Sequence, residues 1–253
     1  MNITFLGTGT SQGIPVIACD CDVCTSRDAR DNRTRSSIVV SSLETTIVID
    51  TGPDFRHQML REKILNVDAV LFTHDHKDHL AGLDDIRPIN FKYNKHIDIF
   101  CEKNVDESIK REFSYIFHQN KYPGIPLINV RLIDENPFMI HNVTVTPIRV
   151  IHKDLPILGY RFSNFAYITD ANSINERELE KLKGLDVLVI NALRKEKHYS
   201  HFNIDDALEI ISKVKPQTAY LTHMSHDFGK HFDEERKLPD GVKLAYDGLK
   251  IQL

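Results

Sequence analysis

Ala69-Val70-Leu71-Phe72-Thr73-His74-Asp75-His76-Lys77-Asp78-His79 is an apolar run that breaks into a cluster of metal-type side chains. Residues 69–73 show no polar alternation, so they read as a short strand buried on both faces. His74, His76, Asp78 and His79 follow at once. Neutral imidazole and carboxylate are ligands for zinc-type ions, and a strand end is a rigid place from which to aim them. The stretch therefore predicts a metal site where a buried sheet opens into a loop. A solvated polar loop is the plain alternative, and the return of His and Asp at later strand ends speaks against it.

Outward from this stretch, residues 1–7 read as a first strand, Ile38–Val40 and Thr46–Asp50 as a hairpin pair, and Phe55–Glu62 as a short helix. Downstream come a strand at Ile97–Cys101, a helix at Val105–Phe117, and β-rich stretches at Leu127–Ile133, Val143–Ile151 and Gly159–Thr169. The last third alternates: helix Asn175–Lys183, strand Val187–Asn191, helix Ile204–Val214, strand Ala219–Thr222, and a closing pair near Lys243 and Ile251. Strands dominate early and then take turns with helices, which predicts an α/β (α+β) fold built as a sheet sandwich covered by helices. No repeat, low-complexity tract or Pro/Gly/Ser-rich linker divides the chain, so residues 1–253 are expected to form one domain.

At 41% hydrophobic and 27% charged over 253 residues, the chain has ample material for a core, which excludes disordered and fibrous classes. Its longest apolar runs are of strand length, so no membrane span is expected. The N-terminus lacks a basic region and a small-residue cleavage site, and a cytoplasmic location is the default expectation. With 32 basic against 36 acidic residues the net charge is −4, which argues against a nucleic-acid partner and suits a small anionic substrate.

Three of the 4 cysteines, Cys19, Cys21 and Cys24, fall within one short loop, and in a reducing compartment that packing favours a metal site over a disulfide framework. Free or redox-active thiols are the other reading. Cys101 lies in an expected strand and reads as a small buried hydrophobe.

His74, His76, Asp78 and His79 complete an HxHxDH signature, and with it the chain resembles the metallo-β-lactamase superfamily. The resemblance implies an αββα sandwich of two mixed sheets flanked by helices, with further ligands at later strand ends. His152 after Val145–Ile151, Asp170 after Phe165–Thr169 and His223 after Ala219–Thr222 meet that expectation in order. It implies one ion on His74, His76 and His152, a second on Asp78, His79 and His223, and Asp170 as the bridge. Two Zn2+ or Mn2+ ions so placed imply hydrolysis by a hydroxide held between them. The histidine at position 76, where the di-iron redox branch resembles HxExDH, disfavours oxygen chemistry. His201, in Ser200-His201-Phe202-Asn203, stands where phosphodiesterase members carry a histidine that protonates the leaving group or steadies phosphoryl charge; a loop histidine beside His198 is the rival reading.

Residues Gly7 to Pro15, the CxCxxC of Cys19, Cys21 and Cys24, the THxSH of residues 222–226 and a late Tyr246-Asp247-Gly248-Leu249 resemble the PhnP-type phosphoribosyl cyclic phosphate phosphodiesterases. A tetrahedral structural zinc needs a fourth ligand beside three thiolates, and His226 is the candidate. Such an ion would tie the N-terminal loop to the segment carrying His223. The implied activity is metal-dependent hydrolysis of a small sugar or nucleotide phosphodiester, cyclic ones included. A thioester or lactone hydrolase on the same centre, and a non-catalytic PqqB-like metal-binding protein, are the alternatives. A small phosphodiester is the expected partner, with no nucleic acid and no membrane, and a homodimer is allowed.

Asp50, in Ile49-Asp50-Thr51-Gly52-Pro53, suits either a carboxylate that orients a ligand histidine or a turn aspartate. Lys153, Arg194, Lys195 and Lys197 are candidates for a second phosphate, with a solvated basic loop as the bland reading. His57, His96, His118, His141, His198 and His231 lack ligand spacing and read as surface or packing residues.

Overall fold

A computed structural model describes residues 1–118 and 123–253. Its strands are β1 (Asn2–Gly7), β2 (Ser37–Ser41), β3 (Thr46–Ile49), β4 (Ala69–Leu71), β5 (Ile97–Cys101), β6 (Ile128–Leu132), β7 (Phe138–Ile140), β8 (Val143–His152), β9 (Leu155–Phe162), β10 (Phe165–Ile168), β11 (Val187–Asn191), β12 (Thr218–Thr222), β13 (Val242–Leu244) and β14 (Lys250–Gln252). The helices are α1 (Phe55–Glu62), α2 (Lys77–Leu80), α3 (Arg87–Tyr93), α4 (Lys103–Glu112), α5 (Glu176–Glu180), α6 (Ile204–Val214) and α7 (His231–Glu235).

They build two sheets of seven strands, in the orders β14-β1-β2-β3-β4-β5-β6 and β13-β12-β11-β10-β9-β8-β7. Both are mixed. In the first, β14, β1, β2 and β3 run antiparallel and β3 to β6 parallel. The second repeats the scheme, antiparallel from β7 to β10 and parallel from β10 to β13.

The pleat of β4 explains the layers. Ala69 and Leu71 enter a core shared with Ile49, Tyr160, Tyr167 and Val189 between the sheets. Val70 and Phe72 point the other way, into a second core with Phe55, Leu83 and Ile109 beneath the helices of the first sheet. A third core packs Leu188 and Ile190 of β11 against Ala207 and Ile210 of α6. Both sheets are thus buried on both faces, which is why their central strands are apolar without alternation. The αββα sandwich of two mixed sheets flanked by helices is the observed architecture.

Local sequence sets the boundaries. Asn203 caps α6 by accepting from the Asp206 N–H, and the Asp206 carboxylate closes the reciprocal bond to the Asn203 N–H. The expected helix 105–117 instead begins at Lys103 and gives way at Phe113 to a 3-10 turn over Ser114–Ile116. The expected closing pair near Lys243 and Ile251 does not form. β13 extends the second sheet in parallel with β12, whereas β14 crosses back to pair with β1 in the first. No helix among the described residues is long and apolar enough to cross a membrane.

Gly7 ends β1 where a Cβ would lie 1.9 Å from the Arg35 carbonyl oxygen, so only glycine admits the 33–36 segment here. That close approach lets the loop after β1 reach the segment after β12, through Thr10 N–H to Met224 O and Met224 N–H to Thr8 O.

Candidate active site

The candidate ligands gather at one edge of the sandwich, most of them at or just beyond a strand end, while His76 is the N-cap residue of α2 and Asp78 and His79 lie in its first turn. Asp50 follows β3, His74 follows β4, His152 ends β8, Asp170 follows β10 and His223 follows β12. Asp50, Asp170 and His223 all hold left-handed backbone, with φ of 63°, 61° and 58°. Non-glycine residues in such regions cost on the order of 1–3 kcal/mol each and persist only where the surroundings hold them. Here the turn swings each side chain off its sheet and into the common centre.

The structure brings the expected residues together in overlapping sets. The ligand atoms of His74, His76 and His152 lie within 4.8 Å of one another, as do those of Asp78, Asp170 and His223, those of His74, His79 and Asp170, and those of His152, Asp170 and His201. Asp170 recurs in three of the four sets. Its Oδ2 is 3.4 Å from His79 Nε2 and from His201 Nε2 and 3.9 Å from His74 Nε2, while Oδ1 is 3.0 Å from His223 Nδ1. His79 Nε2 is also 3.2 Å from Asp78 Oδ2.

Whether these residues suit a cation is answered by their polar atoms. Nε2 of His74, His79 and His223 are buried without a hydrogen-bond partner. Such orphaned groups are costly, about 1–3 kcal/mol each, unless an ion or water takes the lone pair. The opposite nitrogens are anchored. His79 Nδ1 donates to Asp50 Oδ2 at 2.7 Å, His152 Nδ1 donates to the Ser200 carbonyl at 2.8 Å, and His223 Nδ1 lies 3.1 Å from Ser36 Oγ. Thr73 Oγ1 donates to Asp50 Oδ2 and is therefore free to accept from His74 Nδ1, 2.9 Å away. A protonated Nδ1 leaves Nε2 as a lone-pair donor, the state in which imidazole binds metal.

Charge agrees with this. Burial opposes a charge on His79, yet Asp78, Asp170 and Asp50 outweigh it and push its pKa well above the usual imidazole value. A centre that draws a proton so strongly draws a cation for the same reason. Burial and the neighbouring His79 hold His74 neutral. Asp50, left open between two readings by its sequence, is at once the strand-end turn and the carboxylate that orients two histidines. Thr73, Ser36 and Ser200 complete that support. Thr73 lies inside the quoted stretch, but nothing in the local sequence marks Ser36 or Ser200.

The second predicted set also converges. Sγ of Cys19, Cys21 and Cys24 lie 3.2, 3.5 and 3.5 Å from His226 Nδ1. Those separations match four ligands about 2.0–2.3 Å from one tetrahedral ion. The Cys24 N–H directed at its sulfur lowers the Cys21 pKa to about 6, which favours the thiolate. Cys101 is buried in β5, as expected, and burial pushes its thiol up to about 12.

A cleft of about 450 Å³ opens over the centre, lined by His76, Asp78 and His201 together with Thr10, Gln12 and Arg194. Burial lowers the His201 pKa to about 4, while its Nδ1 meets Ser200 Oγ at 2.9 Å and His198 Nδ1 at 3.3 Å. His198, read from sequence as a surface or packing residue, therefore belongs to the cleft wall. His231 packs between Arg33 and Glu235, and His57, His96, His118 and His141 are exposed. Of the four basic candidates, Arg194 lines the cleft with Asp227 3.9 Å away, Lys153 lines an adjoining lobe, Lys195 is paired with Glu234, and Lys197 is exposed on the loop.

A family model described as the beta-lactamase superfamily domain matches residues 45–224, and with this fold it places the chain in the metallo-β-lactamase superfamily of hydrolases. A crystal structure of a diphosphatase from the PhnP family is 39% identical, superposes with a TM-score of 0.93, and covers 99% of this chain and 96% of its own. The chain belongs to that family. An octanoyltransferase of Porphyromonas gingivalis is 40% identical over 253 residues, 99% of this chain but 51% of the relative. A ribonuclease Z of Nanoarchaeum equitans is 31% identical over 153 residues, 57% of this chain and 44% of the relative. The chain thus spans about half the length of the curated relatives it matches.

Proposed function

We propose that this chain is a dinuclear metal-dependent phosphodiesterase that hydrolyses a small phosphodiester, cyclic and diphosphate esters included. The observation that carries the reading is His201, which lines the cleft with its Nε2 3.4 Å from Asp170 Oδ2. His74, His76 and His152 would hold one Zn2+ or Mn2+, Asp78, His79 and His223 the other, and Asp170 would serve both. Divalent ions in such a site lower the pKa of water towards 7 and withdraw charge from phosphoryl oxygens. The protein groups supply the rest. His201 presents Nε2–H to the phosphoryl or leaving oxygen and steadies the charge that grows there, with the Ser200 hydroxyl fixing the ring through Nδ1. Arg194, which lines the cleft, would meet an anionic substituent. Cys19, Cys21, Cys24 and His226 would hold a structural Zn2+ that keeps the His223 segment in register with the N-terminal loop.

The diphosphatase and ribonuclease relatives are both named for cleaving phosphorus–oxygen bonds, which supports this reading. The octanoyltransferase relative favours a second one, hydrolysis of an acyl thioester. An octanoyl chain needs an apolar wall, and among the described residues lining the cleft Leu193 is the one aliphatic side chain. A non-catalytic PqqB-like role would show as metal binding without turnover of any ester. The decisive comparison is His201→Ala on bis(p-nitrophenyl) phosphate with metal-reconstituted protein. Loss of this hydrogen-bond donor to the developing charge should lower kcat by about 10²–10³-fold. Unchanged turnover would overturn the phosphoryl assignment.

A further inference from the structure

β10 and β11 stay in register as far as Ile168 opposite Ile190, and the ladder stops just short of the left-handed turn at Asp170. Ala171, the residue after that turn, is fully buried, so its N–H and C=O need partners that the ladder no longer supplies. Asn191, the last residue of β11 and also fully buried, provides both. Its Oδ1 accepts from the Ala171 N–H at 2.8 Å, and its Nδ2 donates to the Ala171 carbonyl at 2.9 Å. A primary amide carries a donor and an acceptor in one plane, so this side chain stands in for the missing peptide group. It is the one polar side chain in the run Val187-Leu188-Val189-Ile190-Asn191-Ala192-Leu193.

The clamp reaches further than one residue. The Ala171 carbonyl also accepts from the Phe202 N–H at 2.7 Å, and the Phe202 carbonyl accepts from the Leu193 N–H at 2.9 Å. Asp170 precedes one of these anchored residues and His201 the other. On its far side Asn191 pairs with Thr222, the residue before His223, and the Thr222 carbonyl accepts from the Ala192 N–H at 2.9 Å. We infer that Asn191 is a positioning residue for the centre. Its amide fixes the turn that aims Asp170 and, through the Ala171 carbonyl, the loop that aims His201, and so sets the 3.4 Å between Asp170 Oδ2 and His201 Nε2. The inference rests on the proposed working roles of Asp170 and His201 and adds the group that holds them in register.

Asn90 supplies the control. It is equally buried and makes the same clamp on Leu127, accepting from its N–H at 3.0 Å and donating to its carbonyl at 2.9 Å, and it is not among the described residues lining the cleft. Asn191→Ala and Asn90→Ala should each lower the Tm of the metal-free full chain by about 2–12 °C, the mark of two backbone groups left unpaired. Manganese titration by calorimetry separates them, because soft thiolates disfavour that ion and it reports the His and Asp ligands alone. Asn191→Ala should weaken manganese binding about 10- to 100-fold and lower kcat on bis(p-nitrophenyl) phosphate similarly, with KM little changed. Asn191→Thr fills the same volume and suits a strand, but its single shorter hydroxyl cannot serve both groups, so it should show the same losses in a soundly folded chain. Asn90→Ala should leave affinity and kcat as they were. Unchanged affinity and kcat in both Asn191 variants would overturn the inference, and so would equal losses in Asn90→Ala. Weakened manganese binding in a chain that turns over no phosphodiester would sink the functional reading and leave the clamp standing.

Discussion

Asp50 Oδ2 accepts from His79 Nδ1 at 2.7 Å, and the same carboxylate receives both the backbone N–H and the hydroxyl of Thr73. One buried acid thereby fixes the ring of His79 directly and that of His74 through a threonine. Its left-handed backbone is one that asparagine also tolerates. Asp50→Asn should therefore keep the fold while weakening metal affinity about 10- to 100-fold, as loss of such orienting carboxylates does. Metal titration followed by calorimetry measures it, and an unchanged affinity would remove Asp50 from the centre.

The cysteine loop and the His cluster make separate demands on metal. Elemental analysis should find about three ions per chain, and about two after Cys19→Ser, because a four-coordinate site does not survive the loss of a thiolate. A ratio of about two that Cys19→Ser leaves unaltered would show that the four converging atoms hold no ion.

Chelation should cost stability as well as activity. An ion at about 100 times its dissociation constant adds about 2.7 kcal/mol to the folded state, which for a chain of this size corresponds to about 5–10 °C in Tm. Thermal denaturation before and after EDTA, with zinc or manganese restored, reads the difference. Identical curves would argue that the orphaned imidazole nitrogens are satisfied by water alone.

Asn203 caps α6 two residues after His201, and its Nδ2 donates to the Lys195 carbonyl at 2.9 Å. Asn203→Ala should cost about 1 kcal/mol of stability, the usual value of a lost cap, and should loosen the His201 loop. Urea denaturation gives the first and the bis(p-nitrophenyl) phosphate rate the second. A full rate with the stability loss would uncouple the cap from the histidine.

What was legible in the sequence was local. The stretch 69–73, of which Ala69–Leu71 forms β4, runs straight into its ligands, and Asp170 and His223 each end an apolar run, so periodicity and residue type together locate them. Partners that meet only in three dimensions leave no such trace. Ser36 and His223 are 187 positions apart, and a serine before a strand carries no signal. His198 looked like a surface residue because its role depends on a 3.3 Å approach to His201 across a loop bend. The separation of β13 and β14 was hidden for a related reason: strand patterning records burial, not which sheet a strand joins.

The mirror-like pair of sheets has a consequence for folding. His74, His76, Asp78 and His79 issue from the first sheet, and His152, Asp170 and His223 from the second. Neither half of the sandwich owns a complete set of donors, so an ion captured at the seam is a clasp whose affinity includes the free energy of docking one half onto the other. Hydrogen exchange should then slow in β4 and β12 together on metal addition, making the centre a gauge of how firmly the two halves are closed.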